Sequence, residues 1–170
     1  MSSHKNDLQY MNIIRNYINN ENFQKTREIE HHGITRFEHS LKVSYYSYRV
    51  AKALRLDFEE AAVGGLLHDF FLSPEEMSKK EKVESYFTHP KLALQTALSE
   101  FDLTVKEQDM IRSHMFPMNI SVPKYMESWI VSVVDKCIAT EELSIKFKFK
   151  IKYAYSLLML FAIGIFKWNV

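Results

Sequence analysis

The stretch AAVGGLLHDFF, Ala61–Phe71, decides the fold class more than any other part of the chain. It passes from small apolar residues through two glycines into a His-Asp pair and two phenylalanines. Asp57 and Glu60 precede it with the spacing of a capping box, so the sequence predicts a helix over Phe58–Leu67. A helix that is apolar on all sides belongs in the core of a domain.

Helical periodicity continues on both sides of this stretch. Apolar residues recur at three- and four-residue intervals over the segments Asp7–Asn20, Phe37–Leu54, Pro90–Glu100, Thr104–Met115 and Lys124–Leu143. Between Asn19 and Thr35 the chain is polar and predicts a short helix at best, and a second polar stretch, 73–88, opens with Ser-Pro. With only four glycines and four prolines, a turn-rich all-β fold is disfavoured. We predict an all-α fold, a compact bundle of about six to eight helices.

Length and composition indicate one globular domain. The chain has 170 residues, of which 46% are hydrophobic and 25% charged, as expected for a folded domain. Its one cysteine, Cys137, excludes a disulfide framework and an all-cysteine zinc site, and we expect a buried free thiol. The first residues have no apolar signal segment, which predicts a cytoplasmic protein. We expect one helical domain over residues 1–142, and a tail over 143–170 that packs on it or mediates contacts.

Several ionisable groups fall on stretches that are otherwise apolar. His68 and Asp69 end the apolar run quoted above, Asp135 lies in the apolar sequence IVSVVDK, and His39 lies near the start of its predicted helix. Burying such groups is costly unless they pair or bind a cation. Neutral imidazoles and ionised carboxylates bind metals, and both exist at pH 7. These residues leave two interpretations open, a metal site or a set of hydrogen-bonded polar core residues.

Three segments carry these residues in the order His, His-Asp, Asp: TRFEHSLKVS (Thr35–Ser44), AAVGGLLHDFF (Ala61–Phe71) and IVSVVDK (Ile130–Lys136). Each is weak alone, but the ordered set resembles the HD superfamily of metal-dependent phosphohydrolases, from His31 to about Glu142. The resemblance implies a helical HD domain that hydrolyses phosphate compounds. It also implies a first metal ion bound by His39, His68, Asp69 and Asp135.

Two further histidines extend this resemblance. His89 precedes a proline that we expect to open a helix, and His114 ends another predicted helix. In the dinuclear branches of the family, which include diadenosine-polyphosphate hydrolases and cyclic-dinucleotide phosphodiesterases, two histidines at these relative places hold a second metal. The resemblance therefore implies a second ion on His89 and His114, bridged by the Asp69 carboxylate. Asp69 and His68 are the residues expected to carry catalysis. Ordinary helix-end histidines are the alternative.

The chemistry of such a pair of ions defines the expected function. Two divalent ions about 3.5–4 Å apart activate a water molecule and polarise a phosphoryl oxygen, so no protein nucleophile is required. Imidazole and carboxylate ligands suit iron, manganese, cobalt, nickel or zinc better than calcium. We expect hydrolysis of a phosphoester or phosphoanhydride in a small nucleotide-type substrate. The alternatives are a mononuclear nucleotide 5′-phosphatase and a non-catalytic HD-type signalling or binding module.

Two basic residues are candidates for phosphate binding. Arg36 lies one helical turn before His39, and its guanidinium could bind phosphate in a bidentate way, unless it is a solvated helix-start arginine. Lys136 follows Asp135 and is either a phosphate contact or a surface lysine. Phe70 and Phe71 stand where the cyclic-dinucleotide branch typically has glycine and lysine, which disfavours a cyclic dinucleotide. They predict core packing or stacking on a base.

The tail differs from the body in charge and pattern. The net charge is +1, but residues 143–170 contain five lysines and no acid, leaving −4 for the rest. Without a basic stripe on the body, we expect no nucleic-acid partner. Ile145–Lys152 alternates apolar residues with lysine, which predicts a strand. The uncharged run 153–166 would span about 21 Å as a helix, too short for a bilayer. A final core helix, a homodimer contact and an interfacial membrane anchor stay open.

Overall fold

The computed structural model describes the backbone of residues 7–31, 33–72 and 79–168, and the side chains of 7–30, 33–72, 87–145, 147 and 148. Seven α-helices occur within those ranges, which confirms the all-α prediction: α1 (Leu8–Ile18), α2 (Glu21–Gln24), α3 (Arg36–Ala53), α4 (Phe58–Leu67), α5 (Lys79–Glu100), α6 (Val105–Ser113) and α7 (Met126–Trp168). A 3-10 turn, Lys25–Glu28, follows α2. Strands β1 (Glu30–His31) and β2 (Ile34–Thr35) then form a short antiparallel pair before α3. The Ser-Pro opening predicted at residue 73 lies outside the described residues.

Side-chain caps start the helices that carry the site. Thr35 and Glu38 form a full capping box at α3, and Thr104 and Glu107 form the predicted one at α6. At α4 the Asp57 side chain accepts a hydrogen bond from the backbone N–H of Glu60. The reciprocal half of that predicted box is absent, because the backbone N–H of Asp57 donates instead to Glu127 Oε1 (3.1 Å) and a Glu60 carboxylate oxygen lies 3.4 Å from Lys106 Nζ on α6.

Helix α4 lies in the centre of the fold, as its sequence predicts. Every residue from Ala61 to Leu67 is buried. A Cβ added to Gly65 would lie 3.0 Å from the Cα of Ser44, so α3 approaches α4 almost backbone to backbone. The Tyr10 hydroxyl on α1 donates to Ser44 Oγ (2.9 Å), which donates to the Ala62 carbonyl (2.7 Å). This chain of hydrogen bonds joins three helices. Burial of the Tyr10 hydroxyl raises its pKa.

Helix α5 begins earlier than the sequence predicts. The expected start at Pro90 is wrong, because the helix begins at Lys79 and Pro90 lies inside it. A proline removes one intrahelical hydrogen bond, and the residue before it disfavours helix, so an interior position was not expected. Here Pro90 is buried together with Ala93, Leu94 and Ala97, and this packing against the core opposes the break. His89 therefore lies on a continuous helix.

Helix α7 corrects two sequence predictions. The predicted strand Ile145–Lys152 is wrong, because α7 continues as a helix to Trp168. Lysine is a good helix former, and no proline follows position 123, so nothing stops the helix at the alternating segment. Cys137, expected to be buried, is exposed. The described side chains at 143–145, 147 and 148 are also exposed. Within the described residues, no helix is long and apolar enough for a membrane crossing.

Candidate metal centre

Five helices bring the predicted ligand residues to one place in the core. His39 lies on α3, His89 on α5 and Asp135 on α7. His68 and His114 are the C-terminal caps of α4 and α6. All six predicted ligands are buried: His39, His68, Asp69, His89, His114 and Asp135. Three overlapping groups of them have potential ligand atoms within 4.8 Å of one another: His39, His68 and Asp69; His68, His114 and Asp135; and Asp69, His89 and His114.

The cluster has two halves: His39, His68 and Asp135 form the first half, and His89 and His114 form the second. Asp69 directs one carboxylate oxygen toward each half. Its Oδ1 lies 3.3 Å from His89 Nε2 and 3.5 Å from His114 Nε2. Its Oδ2 lies on the other side, 3.7 Å from His68 Nε2. One carboxylate thus faces both predicted metal positions, which is the arrangement that a bridging ligand needs.

Asp135 completes the first half of the cluster. Its Oδ1 lies 3.1 Å from His39 Nε2 and 3.5 Å from His68 Nε2. Burial would raise the pKa of this carboxyl, but the two imidazoles hold it well below its usual range. Asp135 is therefore ionised, as a metal ligand must be.

Helix ends fix the orientation of two imidazoles. His68 Nδ1 lies 2.8 Å from the carbonyl of Gly65, and His114 Nδ1 lies 2.8 Å from that of Ile111. Each Nδ1 donates to a carbonyl three residues earlier, one of those left unpaired at a helix C-terminus. Both Nε2 atoms then face the cluster, as metal ligands would.

The donor atoms fit a bound cation. Within the described part of the chain, His68 Nε2 is buried and makes no hydrogen bond, although two carboxylates lie nearby. A buried polar atom without a hydrogen-bond partner is costly, and a cation shared with Asp69 and Asp135 would satisfy it. Imidazole nitrogen together with carboxylate oxygen is the donor set of transition metals rather than calcium.

The histidines of the two halves differ in their affinity for protons. Burial alone would lower the pKa of His39, but hydrogen bonds to Asp135 and Glu142 raise it to about 9. Burial also opposes protonation of His68, and the charges of Asp69 and Asp135 outweigh it, so the pKa of His68 is raised. Burial, together with the charge of His68, lowers the pKa of His114 to about 3.

His89 and His114 face one another across the second half of the cluster. Their Nε2 atoms lie 2.9 Å apart. Because His114 donates through Nδ1, its Nε2 accepts, and His89 Nε2 is the donor of this contact. A cation placed between the two nitrogens and Asp69 Oδ1 would replace the shared proton as their common partner.

Sequence reasoning missed Glu142 as part of this centre. Its Oε2 lies 2.9 Å from His39 Nδ1, and its Oε1 lies 2.9 Å from Lys42 Nζ. The side chain is buried, and its hydrogen bonds to His39 and Lys42 outweigh the effect of burial and lower its pKa. The available signal was spacing, since Glu142 follows Asp135 by seven residues and therefore lies on the same helix face.

Arg36 and Phe71 form the wall beside His89. The Arg36 guanidinium lies 3.8 Å above the Phe71 ring and donates to the Phe71 carbonyl. The Phe71 ring in turn stacks on His89, with 5.6 Å between ring centroids. Arg36 is buried rather than solvated, and burial lowers its pKa while the charge of Asp69 opposes that change. Phe70 packs in the hydrophobic core against Phe23.

The ammonium group of Lys136 hydrogen-bonds to oxygen atoms of the protein itself. Its ammonium donates to the carbonyl of His114 (2.7 Å) and to the carbonyl and hydroxyl oxygens of Ser132 (3.1 and 2.8 Å). These bonds use the three N–H donors of an ammonium. In this geometry Lys136 holds the end of α6, where His114 lies, and its phosphate contact stays a prediction.

A helical domain with a buried cluster of histidines and aspartates is typical of metal-dependent hydrolases, and comparison with known families agrees. Residues 36–140, more than half of the chain, match the HD domain family. The chain therefore belongs to the HD domain family. Its members are generally metal-dependent phosphohydrolases, and some HD domains are non-catalytic. No curated protein and no solved structure matches the chain.

Proposed function

We propose that this protein is a metal-dependent phosphohydrolase with two metal ions that cleaves a phosphoester or phosphoanhydride of a small nucleotide-type substrate. The observation that carries the proposal is the placement of Asp69. Its two oxygens face two separate sets of imidazoles, with His68 on one side and His89 and His114 on the other.

The cluster offers ligands for two ions. His39, His68 and Asp135 with Asp69 Oδ2 would hold the first, and His89 and His114 with Asp69 Oδ1 the second. When bound, such a pair of ions supplies a water activated near neutral pH and Lewis acidity toward a phosphoryl oxygen. Iron, manganese, cobalt, nickel and zinc all suit these donors.

The residues around the ligands prepare the site before substrate arrives. Carbonyls of Gly65 and Ile111 hold the His68 and His114 rings, and Phe71 covers one face of His89. Groups held in place in this way need little reorganisation when the reaction begins. The buried Arg36 adds a fixed positive charge close to Asp69.

His89 and His114 distinguish the two-ion enzyme from a mononuclear nucleotide 5′-phosphatase. A mononuclear site needs only the first set of ligands, and burying two further imidazoles that face each other would then serve no chemistry. Their 2.9 Å contact beside Asp69 Oδ1 supports the dinuclear form. A non-catalytic module is disfavoured because the full ligand set is present.

The experiment is a hydrolysis screen of the metal-reconstituted protein. Dinucleoside polyphosphates, nucleoside mono-, di- and triphosphates and cyclic dinucleotides are each followed by phosphate release or chromatography. We expect turnover of at least one nucleotide-type compound, abolished in Asp69→Asn. Turnover that survives Asp69→Asn at the wild-type rate would refute the proposed centre. Metal binding without turnover of any member would support the non-catalytic module.

A further inference from the structure

Glu142 is a buried acid outside the predicted ligand set, and its contacts assign it a specific task. Only 3% of its surface is exposed, whereas its neighbour Glu141 is exposed. A carboxylate is costly to bury unless it is paired. Its partners are the Nδ1 of His39 and the ammonium of Lys42, each 2.9 Å away.

His39 is held at both ring nitrogens by one face of α7. Asp135 lies at its Nε2 and Glu142 at its Nδ1. Seven residues separate the two acids, which is about two helical turns, so both side chains point to α3 from the same face. The ring is therefore fixed in rotation as well as in position.

This arrangement determines which nitrogen can bind a metal. A histidine ligand must present a lone pair, so the proton that a neutral ring keeps must lie on its other nitrogen. The Nε2 of His39 is the atom that faces Asp135 and the other ligands. The carboxylate of Glu142 retains the proton on Nδ1 and makes Nε2 a more basic ligand.

Lys42 holds Glu142 in the required orientation. It lies one turn after His39 on α3, and its ammonium binds the Glu142 oxygen that His39 does not use. Each carboxylate oxygen thus has a charged or hydrogen-bonding partner. The three residues link α3 to α7 beside the metal ligands.

We propose that Glu142 is a positioning residue of the metal centre, which holds His39 in the tautomer that directs its Nε2 lone pair to a divalent cation. The inference rests on the metal centre proposed above, and it is independent of the hydrolysis step. It extends the functional part of α7 from Asp135 by two turns, beyond residue 140, where the family match ends.

The test compares Glu142→Ala and Glu142→Gln with Glu141→Ala, an exposed acid one position away. Cobalt(II) affinity is measured by chelator competition, and the His39 tautomer by long-range proton–nitrogen NMR of histidine-labelled, metal-free protein above about pH 9, where the His39 ring is neutral. Circular dichroism checks the fold. We expect Glu142→Ala to weaken binding of the first ion about 10–100-fold and to mix the His39 tautomers. Glu142→Gln, which keeps an acceptor and loses the charge, should weaken it less, and Glu141→Ala should match wild type.

Wild-type affinity and an unchanged tautomer in folded Glu142→Ala would overturn the inference. If that variant does not fold, wild-type affinity in Glu142→Gln overturns it. The role of Glu142 and the proposed function can be refuted separately. A wild-type chain that binds cobalt without hydrolysing any nucleotide refutes the reaction and leaves the role of Glu142 standing. A wild-type chain that binds no divalent ion refutes both.

Discussion

The Nε2 atoms of His89 and His114 lie 2.9 Å apart, although the two residues come from different helices and are 25 positions apart in the chain. Both are buried, and Asp69 Oδ1 lies within 3.5 Å of each. Asp69, His89 and His114 thus form one of the groups that could hold a metal ion. The proposed two-ion centre depends on this group, and the first prediction follows from it.

Removing either imidazole should empty one metal position and leave the other. His89→Ala and His114→Ala are expected to lower metal content from about two ions per chain to about one. Activity should fall by at least the ~10–100-fold that the loss of even a supporting group costs a metal site. Lys91→Ala, an exposed change two residues from His89 on α5, is the matched control. Full activity in both histidine variants would instead establish the mononuclear phosphatase.

Lys136 provides a test between two roles. Its ammonium donates to the His114 carbonyl and to Ser132, so Lys136→Met should loosen the end of α6 and weaken the second metal position. We expect weaker metal binding, measured by chelator competition, with KM for substrate nearly unchanged once metal is saturating. A large rise in KM at unchanged metal affinity would show that Lys136 contacts phosphate.

Metal binding should release a proton. His39 has a pKa of about 9 in the metal-free protein, above its ordinary value, because Asp135 and Glu142 outweigh its burial. Below about pH 9 a cation at Nε2 displaces that proton, so metal affinity rises with pH. Because the pKa of His68 is raised as well, calorimetry in two buffers of different ionisation enthalpy should report at least one proton released at pH 8. Binding heats that are independent of the buffer would contradict this.

The raised pKa values of His39 and His68 also determine how the stability of the metal-free protein depends on pH. The folded state holds protons on His39 and His68 more tightly than the unfolded chain does. The stability from these two groups is fully present below about pH 6.5 and is lost as pH rises through the folded pKa values. Urea unfolding of chelator-treated protein should show a lower free energy of unfolding at pH 9 than at pH 6.5. A higher value at pH 9 would contradict the account.

Gly65 should tolerate no side chain. An added Cβ would lie 3.0 Å from the Cα of Ser44, and backbone cannot move aside as a flexible side chain can. We expect Gly65→Ala to destabilise the fold by about 1–3 kcal/mol, despite the better helix propensity of alanine. Urea unfolding of the metal-free protein measures this. An increase in stability would mean that α3 and α4 are not in backbone contact.

Local pattern predicted most of the helices and singled out His39, His68, Asp69 and Asp135, whereas His89 and His114 became ligand candidates only through the resemblance to a known family. Periodicity and caps mark helices such as α3 and α6, and charged groups on apolar stretches mark a buried cluster. The start of α5 and the helical conformation of Ile145–Lys152 were missed because packing and continuation of a helix overrule a proline or a period-2 pattern. Glu142 was missed because its role depends on which face of α7 meets His39, and local sequence does not reveal that contact.

Metal content per chain tests the central claim most directly. Untagged protein purified without chelators is analysed by elemental mass spectrometry, alongside Asp69→Asn prepared in the same way. The account predicts about two divalent transition-metal ions per wild-type chain and a marked loss in the variant. A wild-type chain that carries no metal, even after anaerobic reconstitution with iron, manganese or cobalt, would contradict it.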